Sequence, residues 1–196
     1  MPGGPWPNRK GQGNSRRRGA IQNIINLDIE SILYFMHSLF PPNVGVTQIR
    51  GFINILKDNP NGLEMSKLAE ESDEGVDDLL PIVEASTLLG FIKTGDDLVS
   101  LTPEGKRFAM KEELKILREK IVGIEPFRSV IDYLGDNQSA TTHELEGLLY
   151  KKKLAYRGSN SASTEELRNV LIHWGVRVKL LTHNQNKDTW TMKRYV

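Results

Sequence analysis

Four histidines, His37, His143, His173 and His183, are the side chains of this sequence best suited to ligate a metal or move a proton. Their spacing serves neither end. None stands at a ligand interval from a second histidine or a carboxylate, so they read as core or surface residues. There is no cysteine, which excludes disulfides, thiolate metal sites and a thiol nucleophile. The glycine-rich phosphate loop ending in Gly-Lys-Ser/Thr is missing, and Gly11-Gln12-Gly13 precedes an arginine run rather than a strand-to-helix turn. Acids are plentiful but gather in a solvated cluster, not as a buried pair with separated titrations. No catalytic residue, metal ligand or cofactor is expected. The chain reads as a binder, not an enzyme.

What the sequence does offer is segregated charge. The net charge is only +1, yet residues 1–20 hold Arg9, Lys10, Arg16, Arg17 and Arg18 and no acid. Such an arm can follow phosphates and order on contact, with Trp6 stacking on a base. A solvated tail is the plainer alternative. Residues 175–196 hold Arg177, Lys179, Lys187, Lys193 and Arg194 against Asp188. Arg177 and Lys179 are expected on the outward face of one strand, with Lys193 and Arg194 following its partner. This hairpin suits a phosphate backbone, or is an ordinary solvated strand face. Lys151-Lys152-Lys153 ends a helix and complements its dipole.

Residues 62–101 carry the opposite sign, with ten acids against Lys67 and Lys93. Asp77, Asp78 and Glu84 sit on one helix that holds no Lys or Arg. That helix lacks donors for guanine or phosphate, and its field repels DNA. It is a candidate for docking a basic protein surface, or a plain solvated face.

The elements that position these residues follow from periodicity and punctuation. With 38% apolar and 26% charged residues, 196 residues suffice for one large soluble domain or two small ones. No apolar run approaches the ~20 residues that span a bilayer. Asp28, Glu30 and His37 interrupt any signal-peptide core, so a cytoplasmic protein without membrane insertion is expected. Residues 1–20 form a disordered basic arm. A helix over 29–40 carries Ile29, Ile32, Leu33, Met36, Leu39 and Phe40 in one stripe, with Tyr34 and Phe35 beside it. It serves as an extra packed helix or a dimer helix, and Pro41-Pro42 ends it.

A second helix is expected from Thr47, as N-cap, to Lys57, and a short third over 64–72. The fourth, over 76–89, places Val76, Leu79, Leu80 and Val83 at i, i+3, i+4 and i+7. Gly90 stops it, and 91–94 and 98–101 form a hairpin wing around Gly95-Asp96-Asp97. Thr102-Pro103-Glu104 opens a long helix to Val122. The same grammar then repeats. A helix over 126–134 is closed by Gly135, and Thr141 with Glu144 forms a capping box. Ser163 and Glu166 form another, opening a helix closed by Gly175. Val176, Val178 and Leu180 then alternate with Arg177 and Lys179 as in a half-buried strand, and Thr189–Met192 returns. The fold class is mainly α with small β-hairpins: tandem winged-helix units joined by a long helix, the first over 21–122 and the second over 123–196.

Several runs carry a family resemblance. They are Asp77-Asp78-Leu79-Leu80-Pro81-Ile82-Val83-Glu84-Ala85, Leu88-Leu89-Gly90-Phe91, Leu101-Thr102-Pro103-Glu104-Gly105-Lys106-Arg107-Phe108-Ala109 and His173-Trp174-Gly175. Over residues 44–192 the chain resembles the AAA-associated C-terminal domain found behind the ATPase module of some nitrate/sulfonate-type ABC transporter ATPases. The resemblance implies a non-catalytic regulatory domain with no catalytic residues to carry over. In place of the ATPase module stand the basic tail and the helix at 29–40. A copy acting in trans on an ATPase is therefore expected, or one recruited to nucleic acid or ribosomes through its basic ends.

Overall fold

A computed structural model describes residues 39–193 apart from 96, 112, 155 and 157–159, with the backbone alone at 160–163. The arm at 1–20 and most of the helix expected at 29–40 lie outside the described residues. So do Trp6, Arg9, Lys10, Arg16, Arg17, Arg18 and Arg194. All described residues fall in one compact unit, residues 38–196.

The described residues are mainly helical with two small antiparallel sheets. In the first half, α1 (Val46–Asp58) precedes β1 (Leu63–Glu64), α2 (Met65–Ser72), α3 (Val76–Leu88) and the hairpin β2 (Ile92–Gly95) and β3 (Leu98–Leu101). The sheet order is β1-β3-β2, with Leu63 opposite Val99 and Ile92 opposite Leu101. Helix α1 buries Val46, Ile49, Phe52, Ile53 and Leu56 at helical spacing. Its N-cap is Gly45, not Thr47: the Gln48 side chain reaches back to accept the Gly45 N–H at 2.8 Å. Gly62, at φ 85°, turns the chain into β1, and any Cβ there would stand 2.8 Å from the Val99 carbonyl oxygen.

Thr102 caps the next helix as expected, accepting the Gly105 N–H at 3.0 Å while donating to the Gly90 carbonyl at 2.6 Å. The expected long helix is two: α4 (Pro103–Lys111) and α5 (Leu114–Ile121), with Glu113 extended between them as the cap of α5. The reason lies in the buried stripes. Gly105, Phe108 and Ala109 face inward from α4, and Ile116, Leu117 and Ile121 from α5. At 3.6 residues per turn the second set is rotated by roughly 100° from the first, so one straight helix cannot bury both.

The second half runs α6 (Phe127–Asn137), β4 (Ser139–Thr141), α7 (Thr142–Lys151), α8 (Asn160–Val170), a π-helical segment (Leu171–Val176), β5 (Leu181–Asn184) and β6 (Thr189–Met192), with sheet order β4-β6-β5. Helix α6 continues through Gly135, which therefore does not close it. The Thr141–Glu144 capping box forms as expected, each residue satisfying the other's backbone N–H. The helix expected to open at Ser163 begins three residues earlier, at Asn160.

Neither half is closed on itself. The expected helical end at Leu39 and Phe40 is instead extended, and Leu39 bridges Glu125. The Phe40 N–H donates to the Glu125 carbonyl at 2.8 Å, and the Tyr156 hydroxyl donates to the Phe40 carbonyl at 2.8 Å. The Trp174 indole N–H donates to the Val44 carbonyl at 2.6 Å. The Phe40 ring meets Trp174 edge-on at 4.6 Å and Phe127 at 5.9 Å. The Arg118 guanidinium on α5 also donates to the Val178 carbonyl at 2.7 Å. The strap that leads into α1 is thus housed in the second half.

Candidate docking face and basic wing

Helix α3 carries the acidic candidates. Asp77 and Asp78 are exposed in its first turn, where the unpaired N–H groups and positive dipole end favour carboxylates. Glu84 lies two turns on and is half-buried and engaged with a neighbour. The stripe expected at Val76, Leu79, Leu80 and Val83 is split on this helix: Leu79 is buried and Val83 packs partly against the core. Its buried residues are Leu79, Ile82, Ala85 and Ser86, while Val76 and Leu80 are 44% and 52% exposed. Helix α3 has two apolar sides. Of the expected stripe, Val76, Leu80 and Val83 follow the outer one and Leu79 the inner, and spacing alone does not separate them.

The outer side is one wall of an open groove of about 840 Å³. Its lining includes Met65, Leu80, Val83, Leu98, Glu64 and Asp97. Among the described residues no Lys, Arg or His lines it. Asp77 stands on the same side of the helix one turn before Leu80, and Asp78 is exposed next to it in the first turn.

The basic candidates of the second half are redistributed. Arg177 and Lys179 are not on a strand. The π-helical segment runs through Gly175 to Val176, Arg177 keeps helical angles, and Lys179 is left-handed at φ 63°. The strand starts at Leu181, because Trp174 and Val178 are both taken into the core. A Cβ on Gly175 would stand 2.7 Å from the Leu181 side chain, so the π-segment and β5 close on each other there. The Lys193 N–H donates to the Leu180 carbonyl at 2.9 Å, which brings Lys193 beside Lys179 and its near neighbour Arg177. All three side chains are exposed. Lys187 sits apart, in the turn at the far end of the β5–β6 hairpin.

That turn anchors a polar cluster that the charge pattern did not single out. Asp188 accepts the Thr142 hydroxyl at 2.6 Å and the Thr142 N–H at 3.2 Å, binds His183 Nε2 at 3.0 Å and pairs with Arg168 at 3.5 Å. Trp190 Nε1 donates to the Thr142 hydroxyl at 2.9 Å, and the His183 ring stacks on Trp190 at 4.0 Å. Burial alone would raise the Asp188 pKa, but bonds from Thr142 and His183 and the Arg168 charge hold it below the ordinary carboxylate value. A hydroxyl, a carboxylate and an imidazole meet here without nucleophilic order: the hydroxyl bonds the carboxylate, not the imidazole, and Thr142 is wholly buried. The cluster ties the hairpin to the N-terminus of α7. The other described histidines are separate: His143 is exposed beside Glu146, and His173 is exposed on the π-segment. Among the described residues no three His, Asp or Glu side chains are grouped to hold a metal ion, and no helix is long and apolar enough to cross a membrane.

The family model of the C-terminal AAA-associated domain matches residues 66–184, from the start of α2 to the end of β5. No curated protein and no solved structure matches the chain significantly.

Proposed function

Since the chain belongs to the C-terminal AAA-associated domain family, we propose that it is a non-catalytic regulatory module that docks a protein partner, an ATPase, in the cytoplasm. Its two halves act as tandem winged-helix units over 21–122 and 123–196, preceded by a basic arm over 1–20. The docking surface is the acidic outer side of α3. One observation carries this reading: Asp77 is exposed on the same side of α3 as two large apolar side chains, Val76 and Leu80, that the fold does not use, and Asp78 is exposed in the same turn. An apolar centre with a charged rim is the anatomy of a protein interface.

The test is charge reversal. Full-length chain with Asp77→Lys and Asp78→Lys keeps its circular dichroism spectrum and loses the partner recovered from its own cells after nuclease treatment. Retention of the partner would sink the proposal.

A second reading, nucleic-acid or ribosome binding, is favoured by the convergence of Arg177, Lys179 and Lys193 at one end of the second sheet. Together with the arm, these cations neutralise phosphates, so log Kd rises steeply with log salt. Replacing Arg16, Arg17 and Arg18 by Ala then lowers the slope by about 2–3. An unchanged slope, or no binding to duplex DNA or RNA at low salt, removes this reading.

A further inference from the structure

We infer that the groove between α2, α3 and the β2–β3 hairpin receives a basic peptide segment of the partner, with one large apolar side chain of that segment seated against Leu80. The inference rests on the docking reading above and deepens it. It assigns the pocket and the chemistry of the occupant.

Three observations converge. First, the groove wall is apolar where a soluble helix is normally polar. Met65, Leu80, Val83 and Leu98 line it, and Leu80 is 52% exposed although its neighbour Leu79 is buried. Covering Leu80 removes apolar surface from water, which favours an apolar anchor in the occupant. Second, the charged liners are Glu64 and Asp97, which stand close together in the first sheet because Glu64 pairs with Leu98, and among the described residues no cation lines the groove with them. Both are exposed, so each can accept bonds from an incoming guanidinium or ammonium group. Third, Asp77, one turn before Leu80 on the same side of α3, carries the same sign beyond the groove, and Asp78 is exposed in that turn as well. A chain of alternating cations with one hydrophobic residue satisfies all three features. Phosphate polymers and anionic lipid surfaces are repelled.

The probe is a fluorescein-labelled peptide, Gly-Arg-Arg-Leu-Arg-Arg-Gly, titrated with the full chain and read by anisotropy. Saturable binding is expected, weakening with salt. Leu80→Ala, which keeps a strong helix former at an exposed position, weakens it about tenfold. Exchanging the peptide's Leu for Ser has a similar effect. Glu64→Gln with Asp97→Asn flattens the salt dependence, and Asn suits the left-handed backbone at Asp97, φ 61°. Should Leu80→Ala disturb the helical spectrum, Leu80→Gln gives the same readout.

Unchanged affinity in a folded Leu80 variant overturns the inference. So does absence of peptide binding at low salt. If Asp77→Lys with Asp78→Lys releases the cellular partner while the Leu80 variants affect neither partner nor peptide, the docking face stands and the groove falls.

Discussion

Asp188 is the residue on which the second sheet turns. It holds a left-handed backbone, φ 44°, while its carboxylate gathers Thr142, His183 and Arg168. Asp188→Asn keeps the shape and loses the charge, and urea unfolding at pH 7 should find it less stable by about 1–3 kcal/mol. The sign of the pH effect follows from the lowered pKa. The folded carboxyl titrates below its ordinary 3.8, so its contribution is present above that value and lost as pH falls through the lower folded one. The difference between wild type and Asp188→Asn should therefore shrink in acid; a constant difference from pH 7 to pH 2 contradicts the assignment. Tyr156 behaves oppositely. Burial, aided by the Glu166 charge, pushes its hydroxyl well above the ordinary phenol value and keeps it a donor to Phe40. Tyr156→Phe should cost about 1–2 kcal/mol by the same assay, with no pH dependence below pH 9.

At the scale of elements, what was legible in the sequence was local and what was not was tertiary. Thr102-Pro103 and Thr141–Glu144 announce helix starts because the capping bonds span only three residues. The strand expected over 176–180 fails because Trp174 is drawn to Val44, 130 residues away in sequence, and the backbone yields to that contact. Helix α3 was placed correctly, but its expected stripe joined Leu79, which is buried, to Leu80, which is exposed, since the two are indistinguishable by type. The acidic cluster could be read directly, whereas the groove beside it needs α2 and the hairpin in place. Helix α4 supplies a further prediction. A Cβ on Gly105 would run into the Phe91 carbonyl, so Gly105→Ala should destabilise by about 1–3 kcal/mol despite its better helix propensity. A stabilised variant in thermal melts would refute the close approach.

Across the whole molecule, the strap from Leu39 to Val44 and the Arg118–Val178 bond interlock the halves. They should unfold together. Trp174 and Trp190 report the second half by fluorescence, while far-ultraviolet circular dichroism reports helices of both. The two signals should coincide in urea for the wild-type chain and separate for Phe40→Ala, which empties a fully buried aromatic site at about 3–5 kcal/mol. Coincident transitions in that variant would mean the halves are coupled elsewhere.

The strap also sets an order of events during synthesis. Phe40 is made well before the residues that house it, from Glu125 to Trp174. At translation rates of roughly 5–20 residues per second, the intervening stretch takes on the order of ten seconds. For that interval the nascent first half carries an unhoused phenylalanine at its entrance. A chain stalled after Ile121 would keep it permanently, and would present to chaperones a surface that the finished protein never shows.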